Sequence, residues 1–305
     1  TGELCNSLVN RNIPYKIKII HLTPDIYKDY MEPDTYHIGH LFWETDRLPK
    51  QWISECNKMG EIWTSSQHMV NLFKANGVQV PVYWFPQPID ITIAEKKYSR
   101  FKPSGHHGFL FYSIFQWIER KNPKALLKAY WKAFEGRDDV SLLIKTWRLS
   151  YNNDEFEKIR DDIRAWKKEV PMPHYPRILL VKKIMDQDQM MMLHQTGDCY
   201  IQTDRGEGWS RTVQEALTLG KPVISTGRGG IHEFLSDKHY FRIPSNYVQV
   251  TETPWIKFYT KEQKWAEVDQ EKLIQAMKYV ATNHELSKSK GVLARDYIKE
   301  TFSYF

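Results

Sequence analysis

Glu207 and Glu215 stand eight positions apart, around the start of the helix-like stretch Ser210-Arg211-Thr212-Val213-Gln214-Glu215-Ala216-Leu217. With residues 208 to 215 helical, the two acids would be separated by roughly 12 Å. That is too far for a carboxyl pair working on one bond, where retaining pairs sit about 5 Å apart. The spacing suits two grips on one long ligand. Ser210 is placed as an N-cap, so the free N–H groups of Arg211, Thr212 and Val213 would point at whatever lies beside Glu207, and such a helix end attracts anions. A phosphate at the helix end with hydroxyl-bearing groups beside each carboxylate is the layout of a nucleotide sugar. The plain alternative is a solvated Glu215 and a Glu207 favoured by the helix dipole.

A second cluster reads Gln116-Trp117-Ile118-Glu119-Arg120-Lys121-Asn122-Pro123. Asn122 is expected to cap a helix with Pro123 at its first position, so that Arg120 and Lys121 stand beside another helix N-terminus. Two cations with free N–H groups make a diphosphate clamp and would stabilise charge growing on a leaving group. A solvated basic pair is the alternative.

These segments need elements to hold them. From residue 108 to about 243, strands at Phe109–Ser113, Ser141–Lys145, Ile178–Val181, Cys199–Gln202 and from Val223 alternate with helices at Pro123–Phe134, Asp154–Val170, Asp186–Gln195 and the stretch that stops at Gly220. Phe156, Ile159, Ile163, Trp166 and Val170 recur at helical spacing. Such alternation implies a parallel, doubly wound sheet, with ligands outside the carboxyl ends of its strands, where both motifs would lie. Upstream, Lys16–Ile20, Ile38–Phe42, Glu61–Thr64 and Val80–Phe85 read as strands and Pro49–Met59 and Gln67–Asn76 as helices. Pro86, Pro88 and the polar stretch Ala94–Gly105 read as a linker. Helices are expected at Lys272–Ala281 and Leu286–Thr301. Lys145 ends a strand on the ligand edge and Lys182-Lys183-Ile184 follows another, although such lysines are more often solvated. Gly229-Gly230 could bring backbone amides close to a sugar, or form a plain turn.

With 305 residues the chain exceeds the usual size of one core and fits two domains. Its net charge of +6 favours anionic partners without choosing among nucleotides, phospholipid surfaces and acidic glycans. No zinc-ligand clustering or nucleic-acid-binding motif accompanies that charge, so nucleic acid is not expected as a partner. Cys5, Cys56 and Cys199, odd in number and far apart, suit reduced thiols in a cytoplasmic compartment. No apolar run approaches a membrane span, and any membrane contact is expected to be peripheral.

Glu207-Gly208, Glu215-Ala216, Gly220-Lys221-Pro222-Val223 and Gly229-Gly230 with Glu233 resemble, in order and spacing, the donor-site signature of retaining glycosyltransferase family 4, the GT-B-fold glycosyl transferases of group 1. The resemblance implies that Glu207 lies by the donor sugar and Glu215 binds the ribose hydroxyls. It also implies nucleobase contacts near Ile184; Gly208, Ser210, Arg211, Thr212 and Lys145 are the further candidates for binding the donor. The family places an arginine and a lysine in the loop after the first strand of this domain, usually several residues apart. Here Arg120 and Lys121 are adjacent, and the usual arginine position falls near Phe115 or Gln116.

His21-Leu22-Thr23-Pro24, Ile38 to Pro49 with Trp43-Glu44-Thr45, and Glu61 to Ser66 are similar to a subset of that family. Glu44 would then reach the cleft to bind sugar hydroxyls, and His40 or His21 would fill an active-site histidine position.

The resulting expectation is an α/β, GT-B-like chain of two Rossmann-like doubly wound domains. Residues 1–95 would form a short acceptor-side domain, apparently truncated by at least one strand–helix unit. Residues 96–284 would bind the nucleotide sugar, and 285–305 would form a helix returning to the first domain. The activity implied is retaining, metal-independent transfer from a UDP- or GDP-sugar to a glycan, lipid or protein acceptor, with Glu207, Lys121, Arg120 and Glu44 at the chemistry and no prosthetic group. A sugar-nucleotide epimerase and a non-catalytic nucleotide-sugar-binding scaffold are the rivals.

Overall fold

The computed structural model describes residues 6–9, 11, 13–101, 103–230, 235–251 and 256–303. Cys5 and Glu233 lie outside them.

Two parallel sheets carry the chain. The first has four strands in the order β1 (Ile17–Ile20), β2 (Tyr36–His40), β3 (Glu61–Thr64), β4 (Val82–Trp84). The second runs β10 (Phe241–Arg242), β9 (Val223–Ser225), β8 (Cys199–Gln202), β5 (Phe109–Gln116), β6 (Val140–Trp147), β7 (Arg177–Val181). Every pairing within these two sheets is parallel. Strand order in the second sheet reverses between β5 and β8, and the crevice outside the carboxyl ends of two such strands is where doubly wound sheets hold ligands. The loops after β5 and β8 are the ones that carry Arg120-Lys121 and Glu207.

Side chains alternate across the second sheet because successive strand residues face opposite sides. Phe111, Leu142, Ile144, Cys199, Ile201 and Ile224 join one buried cluster with the helices Pro123–Phe134 and Gln270–Thr282. Leu110, Tyr112, Ile114, Leu143, Tyr200 and Val223 join the other, with the helices Gln187–Thr196, Arg211–Thr218 and His284–Phe302. In the helix Asn153–Glu169, Phe156, Ile159, Ile163 and Trp166 face the first cluster as their spacing predicts, while Val170 has already left the helix as its C-cap.

A third cluster fills the first sheet, and it draws on distant sequence. Val250, Tyr259 and Trp265 pack with Trp43, Trp52 and Ile62. Trp265 belongs to an antiparallel pair, β11 (Ser245–Gln249) with β12 (Lys264–Val268), and Val250 and Tyr259 lie between its two strands; nothing in the local pattern announces this pair. The pair is tied to the loop after β2, since Asp46 N–H donates to the Lys264 carbonyl at 3.0 Å and the Lys264 N–H donates back to the Asp46 carboxylate at 2.5 Å. The C-terminal helix packs on the helix Arg211–Thr218 through Ala294 and Ile298, and the Phe302 carbonyl accepts from Ile89 N–H at 2.8 Å.

Candidate functional site

The loop after β5 folds as expected around Asn122. Its side chain accepts from Ala125 N–H at 3.4 Å, Pro123 opens the helix, and the backbone at Asn122 is left-handed, with φ 51°. That conformation turns Arg120 and Lys121 towards the loop after β8. Lys121 Nζ donates to Asp204 at 2.6 Å and to the Glu207 carboxylate, and Arg120 donates to Glu207 at 3.1 Å and to the Gly206 carbonyl at 2.8 Å.

Glu44, from the loop after β2, completes the group at 3.7 Å from the Arg120 guanidinium. Tyr259 holds it there by donating its hydroxyl to Glu44 at 2.9 Å. Four of the residues singled out for chemistry therefore meet: Glu44, Arg120, Lys121 and Glu207.

The group is largely desolvated, the side chains of Arg120, Lys121, Glu44 and Glu207 being 13 to 19 % exposed. Burial alone would penalise each charge. Burial opposes ionisation of Glu207, but Lys121 and Arg120 outweigh it and hold this carboxyl well below the usual range. Asp204 goes the other way. Burial, reinforced by Glu207 alongside, pushes it up to about 7 against the pull of Lys121. Two carboxyls sharing one ammonium cannot both ionise freely, and of the two Asp204 is the one whose protonation is favoured. Sequence reasoning missed Asp204, although an acid two residues beyond a strand, on the ligand edge, is a usable signal. It missed Tyr259 because nothing local links it to Glu44.

The close approach of the two halves depends on small residues. A Cβ on Gly206 would collide with the Glu44 carbonyl, and one on Gly208 would come within 2.9 Å of Phe42 Cβ. The Gly208 carbonyl accepts from Ser65 Oγ at 2.9 Å. Gly230 donates its N–H to the Glu207 carbonyl at 3.0 Å, so Gly229-Gly230 buttresses this loop from behind. The space lined by Glu44, Gly206, Glu207 and Arg228 is about 20 Å³, room for about one water.

Ser210 differs from expectation. It occupies the N-cap position of the helix Arg211–Thr218 with φ 73°, and its side chain caps nothing. Its Oγ lies 2.6 Å from Gln202 Nε2, which donates to it, and the same amide nitrogen lies 3.0 Å from Asp204. The helix N–H groups thus keep no side-chain cap. Thr212 Oγ1 accepts from the buried Tyr200 hydroxyl at 2.8 Å.

Glu215 lies on a different cleft from Glu207. With Arg211, His40 and Phe85 it lines a space of about 240 Å³ between the ends of the first sheet, the segment 86–93 and the helix. Its carboxylate lies 3.4 Å from Arg211 Nε and 3.4 Å from the fully buried His194, whose other nitrogen meets the Tyr112 hydroxyl at 3.0 Å. His40 faces the same space and pairs with His21 at 3.0 Å between ring nitrogens; burial, then the neighbouring His21, lowers it to about 4.

Lys145 and Ile184 stand apart from both groups. Lys145 is buried within β6 beside the rings of Trp147 and Tyr151, 4.3 and 4.7 Å away, and donates to the Tyr151 hydroxyl at 2.7 Å. Ile184 is 68 % exposed beyond β7.

A family model described as "Glycosyl transferases group 1" matches residues 96–253, just over half of the chain. No curated protein sequence matches. Among solved structures, sucrose-phosphate synthase from Thermosynechococcus elongatus aligns with a TM-score of 0.71 at 11% identity, covering 99% of this chain and 72% of that one. Anabaena HepE, solved in complex with UDP and glucose, gives a TM-score of 0.69 at 12% identity over 95% of this chain and 74% of its own. A TarM variant from S. aureus, in complex with fondaparinux, alpha-GlcNAc-glycerol and UDP, gives 0.65 at 11% identity over 92% of this chain and 51% of its own. At these identities the structures speak for the fold, which is the GT-B arrangement of parallel α/β sheets, and the family match settles membership: this chain belongs to the glycosyl transferases of group 1.

Proposed function

We propose that this chain moves a sugar from a nucleotide-diphosphate sugar, of the UDP- or GDP-sugar class, to an acceptor hydroxyl on a glycan, lipid or protein, with retention of configuration. The observation that carries the reading is the meeting of Arg120, Lys121 and Glu207 at the β5/β8 switch point with Glu44 brought from the other sheet. HepE, solved with UDP-glucose, supports the choice of donor class. Residues 96–284 take the donor in this reading and 1–95 face the acceptor.

The diphosphate lies between Lys121, Arg120 and the uncapped N-terminus of the helix Arg211–Thr218. Here Arg120 and Lys121 supply the positive charge that a metal ion could otherwise bring. Both already hold carboxylates, so the donor exchanges partners with them: protonation of Asp204 frees Lys121 for phosphate oxygen. A space of about 20 Å³ beside Glu207 and Glu44 is too small for a hexose. The loop after β2 must therefore draw back from Gly206 and Gly208 to admit one.

In the transfer step the bond from the anomeric carbon to the phosphate oxygen breaks with its electron pair passing to the phosphate. The acceptor oxygen bonds to the same face, and its proton goes to the departing phosphate, so no protein nucleophile is used. Glu207 orients the sugar, Glu44 receives hydroxyls from the opposite side, and Glu215 with Arg211 holds the ribose end, the donor passing around the N-terminus of the helix Arg211–Thr218 from the space beside Glu207 to the one lined by Glu215.

The test is incubation with UDP- and GDP-sugars and simple glycan or glycoside acceptors, following released nucleotide and the anomeric configuration of the product by NMR. An axial donor giving an axial product supports the reading. Nucleotide binding with neither transfer nor donor hydrolysis would refute it in favour of a scaffold, and an epimerised donor formed without acceptor would refute it in favour of an epimerase.

A further inference from the structure

At the opposite pole of the second sheet, just before β5, β8 and β9 begin, a cavity of about 680 Å³ opens between the turn Leu219–Pro222 and the start of the helix His284–Phe302. Lys221 reaches into it. This lysine is 7 % exposed and donates to the Gln195 carbonyl at 2.9 Å, which satisfies one of its three N–H donors. Arg100 and Lys288 line the same cavity from separate segments, and neither has a hydrogen-bond or ion-pair partner among the described residues. Asp198, Asp139 and Glu285 also line it; Asp198 already accepts from Leu110 N–H at 2.8 Å, Asp139 pairs with Arg137 at 2.7 Å, and Glu285 stands in the exposed first turn of the helix.

Two further features aim donors at the cavity. The helix His284–Phe302 begins there with no side-chain cap, so its first N–H groups are open. In its first turn Ser287 is 1 % exposed, and its hydroxyl has no partner among the described residues. A buried hydroxyl left unpaired is destabilising, and a ligand oxygen would satisfy it. The cations repel one another as they stand: burial first, then Arg100 and Lys288 against the pull of Asp198, lower Lys221 to about 8.

We infer that this cavity is a second binding site, distinct from the donor crevice, for a soluble phosphomonoester whose dianion is taken by Lys221, Arg100 and Lys288 with Ser287 and the helix N–H groups. Three cationic side chains and several N–H donors match a group with three equivalent oxygens and nearly two charges better than a carboxylate with two oxygens and one. The volume lies in the range of small-molecule sites, about 300–1,000 Å³. Lys221 is too recessed for a headgroup held at a bilayer surface, which fixes the ligand as soluble.

The experiment is calorimetric titration of the full chain with inorganic phosphate and with glycerol 3-phosphate, at ionic strength held constant with chloride. Saturable binding to one site is expected. Lys221→Met should weaken it by about tenfold or more, the scale of a lost charge-assisted hydrogen bond. The double variant Arg100→Gln with Lys288→Gln, both at exposed positions where folding is not at risk, should weaken it comparably. Arg211→Gln, at the donor crevice, should leave it unchanged. Absence of saturable binding overturns the inference. So does binding that survives the double variant, binding lost in Arg211→Gln but kept in Lys221→Met, or capture by phosphatidic acid vesicles without binding of the soluble ester.

Discussion

At the C-terminal edge of the second sheet, Arg120 and Lys121 sit within reach of Glu44, Asp204 and Glu207, whereas at its N-terminal edge the buried Lys221 faces Arg100 and Lys288 and has no carboxylate in ion-pair contact among the described residues. The same sheet thus holds cations in two electrostatic states. Where carboxylates already match them, burial costs little and the cations are fixed in position, ready to exchange one anionic partner for another. Where the match is incomplete, burial shows as a depressed lysine. A pre-neutralised site spends part of its attraction on its own acids and gains geometry. An unmatched site keeps its attraction and is less stable empty.

The comparison breaks first, and hardest, at Lys121. Lys121→Ala leaves Asp204 and Glu207 facing each other with only Arg120 near, and removing one partner of a buried ion pair costs about 3–5 kcal/mol. Proton uptake by Asp204 relieves part of this, so a loss of roughly 3 kcal/mol is expected from denaturant midpoints. Arg100→Gln at the other pole should change stability by less than about 0.5 kcal/mol, as for an exposed residue without a partner. Equal effects at the two positions would erase the distinction.

Next in size is the division of labour between the two glutamates. Glu207→Gln removes a charge that orients the sugar and should lower kcat by about 10²–10³-fold, by analogy with removing one transition-state contact, with nucleotide affinity little changed. Glu215→Ala should instead weaken nucleotide binding by about tenfold and leave kcat for bound donor near its original value. Steady-state kinetics with a nucleotide titration separates the two, and indistinguishable variants would refute the assignment.

Asp204 makes the matched site sensitive to pH. A diphosphate placed beside Lys121 raises the Asp204 pKa above its starting value of about 7, so binding takes up a proton. Nucleotide affinity should therefore fall as pH rises through about 7, by a few-fold per unit. Calorimetry in buffers of different ionisation enthalpy measures the proton directly. Asp204→Asn should abolish both the uptake and the slope; an unchanged slope in that variant would place the proton elsewhere.

Much of this was legible before any coordinates. The helix Arg211–Thr218 and its stop before Gly220, the helix capped by Asn122, and the parallel order around the switch point follow from local pattern and spacing. In the matched cluster Glu207 is marked by its spacing to Glu215 and the family signature, Arg120 and Lys121 by their place between a strand and a capped helix, and Glu44 by the resemblance and the strand before it. What escaped was non-local. Glu44 and Tyr259 are 215 positions apart in sequence, and the strands Ser245–Gln249 and Lys264–Val268 alternate polar and apolar residues too weakly to announce a pair. Ser210 was placed at the right helix position with the wrong partner, because Gln202 competes for its hydroxyl only once β8 is formed. Lys221 was visible merely as one letter of a motif, since its depth depends on a helix that begins more than sixty residues later.

The smallest effect tests the unmatched side alone. A lysine whose folded pKa is about 8 and whose unfolded value is near 10.4 carries its full penalty below about pH 8, where both states are protonated. Between those values the unfolded chain holds a proton that the folded protein has released, so stability rises with pH. Buried groups raised by desolvation give the opposite slope, Cys56 and Cys199 above about pH 8.5 and Tyr112 and Tyr200 above about pH 10, and these contributions cancel in a comparison with Lys221→Met. From about pH 8 to 9.5 the wild-type chain should gain about 1.5 kcal/mol relative to Lys221→Met in phosphate-free buffer. Saturating phosphate should hold Lys221 protonated through that window and remove the difference. A gain equal in both proteins would mean that Lys221 is not the titrating group and that the two edges of the sheet are electrostatically alike.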